Sequence, residues 1–380
     1  MASVGLAEWI AAGRAIARRN LIRHEGTGHF TDRFEHGLSA LTGARHVLTM
    51  TSGTNALVAA LAAAGIGPGD EVLVPAYTWI ATATAPLLVG AVPVLVEIDE
   101  SLTMDPVDMA RKITPHTRAV IPVHMGNSPA NMDALLPIAR RHGLVVVEDA
   151  CQAVGVRYKD LHCGAMGDAG AFSFNGYKNI NIGEGGALLT GDDALFVRAR
   201  AWHDHGDPWR GHADRLNQPP VVGGSQRVSE VQGAMLGAQL AKLGPMLRRR
   251  QAWRAAVAQV LRRRADLRIS PHHSEVNAVA LNVIFATPAE AEAFAQRRGV
   301  TRVLDASGHI YTNWEAILAK RVIHPRMDPW AWAHRPINYA PDMCPRTLDI
   351  LARSCRIHLG QSYPARVAAV LATRLLLSPA

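Results

Sequence analysis

Val145-Val146-Val147-Glu148-Asp149-Ala150-Cys151-Gln152-Ala153 is the stretch on which the fold turns. Three consecutive valines with no polar residue between them predict a strand covered on both faces. Strands of that kind belong to parallel sheets flanked by helices. The run stops at two acids. Ligands of open α/β sheets bind beyond the carboxyl ends of the strands, so Glu148 and Asp149 stand where a site is expected. A carboxylate turned inward there needs a cationic partner. An acid capping the next helix is the alternative reading.

Outward from this strand the same rhythm runs through residues 26–244. Val72-Leu73-Val74, Val92-Pro93-Val94-Leu95-Val96 and Ala119-Val120-Ile121-Pro122-Val123 predict further buried strands. Thr54 to Ala64, Pro106 to Lys112 and Met132 to His142 predict the helices between them. In Gly65-Ile66-Gly67-Pro68-Gly69-Asp70 the glycines supply unusual backbone angles and Pro68 fixes φ, which predicts a helix stop and a tight turn. The texture changes near residue 245, where Gly244-Pro245 is expected to break a long helix. An Arg/Ala/Gln-rich helix follows. Next come a strand in Val276–Phe285, a helix over Ala289–Arg298, a Trp/Pro/His-rich loop region over 305–345 and a closing helix near Pro364. The expected organisation is a large α/β domain at 26–244, a small α+β domain at 245–380, and an N-terminal helix in 1–25 packed beside the small domain.

The chain has 380 residues, enough for two cores. Its apolar runs are too short to span a bilayer, and the N-terminus lacks the apolar core and cleavage site of a signal peptide, so a cytoplasmic location is expected. The net charge of +8 raises the question of nucleic acid. However, Arg248-Arg249-Arg250 and Arg262-Arg263-Arg264 fall on what reads as one helix, as a solvated face, and no nucleic-acid partner is expected. An anionic small molecule suits the same charge. Cys151, Cys163, Cys344 and Cys355 form no CxxC pair, and His203 and His205 have no further ligands nearby, so no metal site is expected.

Two more segments carry chemistry. Thr51-Ser52-Gly53-Thr54-Asn55-Ala56-Leu57 is a small, hydroxyl-bearing turn that opens a helix, where free amides and the helix dipole favour an anion such as phosphate. A plain N-cap is the alternative. Gly170 to Ala187 places Lys178 after a short strand and before the Gly-rich turn Gly183-Glu184-Gly185-Gly186. The chain has only five lysines against thirty-five arginines. A lysine kept inside a motif suggests amine chemistry, because Lys, unlike Arg, can lose its proton and form a Schiff base.

Together these segments resemble the keto-sugar aminotransferases of the DegT/StrS type. The resemblance runs over nearly the whole chain. It includes Phe34-Glu35, Ser52-Gly53-Thr54, Gly67-Pro68-Gly69-Asp70-Glu71-Val72, Pro75-Ala76-Tyr77-Thr78-Trp79 and Ile113-Thr114-Pro115-His116-Thr117. It continues through Val123-His124-Met125-Gly126, Glu148-Asp149-Ala150, Phe172-Ser173-Phe174 and Gly183 to Gly186. It implies a fold type I protein, α/β, with a mostly parallel seven-stranded sheet in the large domain and a smaller α+β C-terminal domain. It also implies pyridoxal 5'-phosphate (PLP) as cofactor and a homodimer with shared active sites.

By the same resemblance Lys178 would hold PLP as a Schiff base and shuttle the proton, and Asp149 would pair with the pyridine nitrogen, making the ring an electron sink. Gln152 would lie near the ring, Trp79 would stack on its face, and Gly53, Thr54 and Ser173 would hold the phosphate. Ser225 stands where the family usually has an Asn that reaches the neighbouring subunit's phosphate. Arg227 matches the family and would assist a carboxylate or phosphate, with a structural salt bridge as the alternative. His309, Tyr311, Trp314 and Met327-Asp328-Pro329-Trp330 are the expected shapers of the substrate pocket. The implied reaction carries an amino group from L-glutamate or L-glutamine to a keto-sugar or keto-cyclitol, in amino-sugar or antibiotic-type biosynthesis. The alternatives are another PLP reaction on the same scaffold, dehydration or aromatisation, and a non-catalytic PLP-binding regulatory protein. Lys178 argues against the dehydratases, which carry His at that position.

Overall fold

The structure, a computed structural model, describes residues 4–19, 21–23, 30–206 and 221–377. Helix α1 (Leu6–Ala17) is followed by α2 (Thr31–Thr42) and then by alternating units: β1 (His46–Met50), α3 (Gly53–Ala63), β2 (Glu71–Pro75), α4 (Ala81–Leu88), β3 (Val92–Val96), α5 (Pro106–Lys112), β4 (Thr117–Val120), α6 (Met132–Arg141) and β5 (Val145–Asp149). A short ribbon, β6 (Arg157–Tyr158) and β7 (Leu161–His162), leads to β8 (Ala169–Ser173), β9 (Gly186–Thr190) and α7 (Asp193–His203). The strands form a seven-stranded sheet in the order β1-β9-β8-β5-β4-β2-β3, in which β9 alone runs against the rest. All five residues of β2, β3, β8 and β9 are buried, as continuous apolar runs require of a sheet with helices on both faces. The loops after β1, β2, β4, β5 and β8 therefore open on one edge of the sheet, where such folds bind ligands.

The tight turn after α3 is as expected. Gly65 and Gly69 take φ of +79° and +90°, in the left-handed region that favours glycine. The expectation at Gly244-Pro245 fails. One helix runs unbroken from Glu230 to Leu261, with Pro245 inside it. Pro245 lacks the N–H that would meet the Ala241 carbonyl, yet Leu243, Met246 and Leu247 around it are buried in the first core, and that packing holds the helix through the lost bond.

A second core gathers Trp253, Val257 and Leu261 of this helix with Val283, Phe285, Phe294, Cys355, Ile357 and Leu376. It covers a four-stranded antiparallel sheet, ordered β10 (Leu267–Ile269), β11 (Asn282–Phe285), β13 (Ser354–Ile357) and β12 (Val300–Arg302). Two expectations about packing change here. The N-terminal helix α1 lies against the part of the long helix before Pro245, where buried Glu8 accepts from Gln239 Nε2 at 2.8 Å and pairs with Lys242. The aromatic residues Tyr311, Trp314 and Trp330 of the 305–345 region sit in the first core, not the second.

Candidate active site

Between the sheet edge and the small sheet lies a cleft of about 1,040 Å³, lined on one side by residues 52–54, 79, 149, 151–152, 173, 175 and 177–179 and on the other by 250, 279–281, 309, 356–358 and 360–363.

The two acids at the end of β5 part company. Glu148 points into the core and is fully buried. It accepts from the amides of Gly164, Met166 and Gly167 at 2.8, 2.5 and 2.7 Å. It also meets His124 Nε2 at 2.8 Å. His124 Nδ1 accepts from the Ala130 amide at 3.1 Å, which leaves Nε2 as the nitrogen that donates to Glu148. Glu148 is thus a fastener of loops.

Asp149 faces the cleft and is 5% exposed. Its Oδ2 accepts from the Thr82 hydroxyl at 2.7 Å and its Oδ1 from the Cys151 amide at 3.1 Å. Thr82 is in turn bonded to Thr78 at 2.7 Å. No cation pairs with Asp149 among the described residues. A buried carboxylate held by neutral donors at its sides, and lacking a counter-charge, calls for a cation from outside the chain. Burial, with the Asp149 charge beside it, pushes the Cys151 thiol well up, which keeps it a neutral wall group.

At the start of α3, Ser52 is extended and its side chain accepts from the Asn55 amide at 3.1 Å. The amides of Gly53 and Thr54 point into no acceptor among the described residues, as the first turn of a helix dictates. A Cβ on Gly53 would lie 2.6 Å from Cys151 Sγ and 2.9 Å from Ser173 Cβ. Three loop ends meet there, and only glycine fits. The Ser173 hydroxyl accepts from the Asn175 amide at 3.4 Å, and Ser173 lines the cleft beside Gly53 and Thr54. The set is an anion cradle built of a helix N-terminus and hydroxyls.

Lys178 also lines the cleft. Lys112, Lys159 and Lys242 hold acidic partners, whereas Lys178 has no partner among the described residues. Asn179 beside it donates to Asn127 Oδ1 and accepts from Arg250, both at 2.7 Å, which ties this stretch to both sides of the cleft. Trp79 stands 48% exposed at the mouth. Its ring leans on His309, with centroids 5.2 Å apart. Gln152 accepts from the Gly126 amide at 3.0 Å.

The cleft therefore collects Lys178, Asp149, Gly53, Thr54, Trp79, Gln152, Ser173 and His309. The other expected residues, Tyr311, Trp314, the stretch Met327-Asp328-Pro329-Trp330, Arg227 and Ser225, are elsewhere. Tyr311 is fully buried, donating to the Pro341 carbonyl at 2.5 Å, and Trp314 is buried with its indole donating to the Gly308 carbonyl at 3.3 Å. Both are large aromatic side chains with a satisfied polar tip, which is how cores use them. Arg227 pairs with Asp204 and donates to Ser225 Oγ at 3.4 Å, beside a separate cavity lined by Arg23, Glu35 and His203. Ser225 bridges to Asp204 through the backbone and does not enter this chain's cleft.

The small-sheet wall holds what sequence reasoning missed: Arg250, Arg356, His358 and Tyr363. Arg250 donates to Asn179 Oδ1 at 2.7 Å. Burial together with Arg356 holds His309 down at about 4, and partial enclosure with Arg356 beside it lowers the outer His358 as well, so both imidazoles are neutral at ordinary pH. Arg356 lies near the end of β13 and His358 just beyond it, an alternation that is a local signal for this wall.

The DegT/DnrJ/EryC1/StrS aminotransferase family model matches residues 7–363. The chain is 39% identical over 247 residues to the GDP-perosamine synthase of Caulobacter vibrioides, covering 64% of this chain and 65% of that one. It is 38% identical to the L-glutamine:2-deoxy-scyllo-inosose aminotransferase of Micromonospora echinospora, covering 60% of this chain and 56% of that one. The alignments thus span less than two thirds of these relatives' lengths. Among solved structures, 3-amino-5-hydroxybenzoic acid synthase superposes with a TM-score of 0.81 at 26% identity, covering 98% of this chain and 95% of that one.

Proposed function

The chain belongs to the DegT/DnrJ/EryC1/StrS aminotransferase family, and from that premise we propose that it is a PLP-dependent enzyme carrying an amino group from L-glutamate or L-glutamine to a keto-sugar or keto-cyclitol. The observation that supports this best is Asp149, a buried carboxylate in the cleft with two neutral donors and no counter-cation. A protonated pyridine nitrogen is the cation it lacks. The unpartnered amine of Lys178 and the free amides of Gly53 and Thr54 fit the other two ends of the same molecule.

When bound, PLP supplies an electron sink for the carbon that gains or loses its amino group. The chain does the rest. Asp149 keeps a proton on the ring nitrogen, and Thr82 and the Cys151 amide fix its carboxylate in place. Gly53, Thr54 and Ser173 bind the phosphate. Trp79 shields the ring face from water, and Gln152, pinned by Gly126, stands beside it. Lys178 would hold the cofactor through its side-chain amine, and the same amine would carry a proton to and from the substrate carbon. A homodimer belongs to the same reading, with Ser225 standing where the family's Asn reaches the neighbouring subunit's phosphate. So does a cytoplasmic location. No described helix is long and apolar enough to cross a membrane.

The test is the visible absorption of purified protein before and after L-glutamate, for wild type and Lys178→Ala. A yellow wild type that bleaches with L-glutamate, beside a variant lacking the covalent band, is the expected result. A wild type that stays colourless after incubation with PLP overturns the proposal. Aromatisation on the same scaffold is the second reading, favoured by the likeness to 3-amino-5-hydroxybenzoic acid synthase. Turnover of keto-sugars or keto-cyclitols to amines, without an aromatic product, decides against it.

A further inference from the structure

Arg356 leaves the small sheet toward the cleft with its guanidinium lying over Gly126, where a Cβ would come within 2.3 Å of Nη2. Its Nε is tied to Asn282 Oδ1 at 3.1 Å. Its Nη2 is buried without a hydrogen-bond partner. Although Asp149 and Glu184 line the same cleft, no carboxylate pairs with Arg356 among the described residues. By contrast, Arg254, Arg268, Arg302 and Arg353 of the same small unit all hold acids. A guanidinium taken partly out of water, oriented through one edge and left without an anion, is a site waiting for one.

Resting on the proposed function, we infer that Arg356 receives the α-carboxylate of the amino-acid donor. Position selects that anion. Arg356 lies over Gly126, and Asn127 next to it accepts at 2.7 Å from Asn179, the residue after Lys178, so the guanidinium and the reacting amine stand on adjoining stretches of one cleft. In an α-amino acid the carboxylate is one bond from the carbon that bears nitrogen, so a short molecule bridges the two. The diphosphate of a nucleotide-linked sugar hangs from C1, several bonds from a ketone elsewhere on the ring. A fork of N–H donors also matches a carboxylate in plane. The neighbouring imidazoles, kept neutral, offer no rival cation.

The experiment titrates the PLP-loaded enzyme with glutarate, an unreactive dicarboxylate, by calorimetry, for wild type, Arg356→Gln and Arg356→Lys, with UDP and GDP as parallel ligands. Arg356→Gln is expected to weaken glutarate by about 10- to 100-fold, the scale of a lost charged hydrogen bond. Arg356→Lys is expected to recover part of that, and nucleotide affinity to stay unchanged. In the donor half-reaction KM for L-glutamate rises with kcat little altered, and the acceptor half-reaction is spared. A yellow wild type that ignores glutarate, equal glutarate affinity in Arg356→Gln, or a loss confined to the nucleotides overturns the inference. The yellow colour keeps this failure apart from failure of the proposed function, which would leave all three proteins colourless.

Discussion

The two walls of the cleft are built on opposite principles. On the sheet-edge wall Asp149 is oriented by Thr82 and the Cys151 amide and Gln152 by Gly126, and the wall offers groups of both signs, the Asp149 carboxylate and the Lys178 amine. On the small-sheet wall, Arg250 and Arg356 have neutral partners but no counter-charge, and His358 is exposed. A wall with oriented groups of both signs presents a fixed shape and suits a ligand that stays. A wall with unspent charge suits ligands that come and go, because each visitor supplies part of the compensation.

The sharpest break of this contrast comes from Asp149→Ala. Turnover is expected to fall by about 10³-fold, within the range for a lost electrostatic stabiliser at the reacting centre, while the yellow covalent band persists. Near-normal turnover would refute the assignment. Next is Gly53→Ala. A methyl group 2.6 Å from Cys151 Sγ has to displace one of three loop ends, at about 1–3 kcal/mol for an overpacked site. The expected reading is cofactor affinity lowered tenfold or more in a PLP titration, with kcat recovering at saturation. On the other wall, His358→Asn is expected to change substrate KM by only about threefold, as loss of uniform binding does, with the cofactor spectrum untouched. A bleached spectrum would mean that the walls are not separable.

The smallest effect concerns pH. His309 titrates at about 4 when folded and near 6.5 when unfolded, and His358 is shifted the same way, so between those values the unfolded chain binds more protons. Stability then rises with pH through that window and is lost as pH falls toward 4. Arg356→Gln removes a cause of both depressions and should flatten that loss. Urea midpoints measured across the window check the sign, and an unchanged slope would count against the shared cause.

The walls also differ in how far the sequence discloses them. Ser52-Gly53-Thr54, Glu148-Asp149 and Phe172 to Lys178 are contiguous runs at strand ends, and strand ends are readable from apolar periodicity. Their chemistry follows from local backbone geometry. Arg250, His309, Arg356 and Tyr363 converge from three distant elements, and no spacing rule announces that. Tyr311 and Trp314 were drawn toward the pocket by their aromatic character, but a large ring with a satisfied tip is worth more in a core. The unbroken helix through Pro245 was hidden for a similar reason: packing around Leu243, Met246 and Leu247 outweighed a local signal.

That helix has one more consequence. Its first half is bedded in one core and its second half in the other, so neither core can melt without stripping a partner from its neighbour. The two units share a single cooperative fate, and calorimetry should record one endotherm where two separable modules would give two.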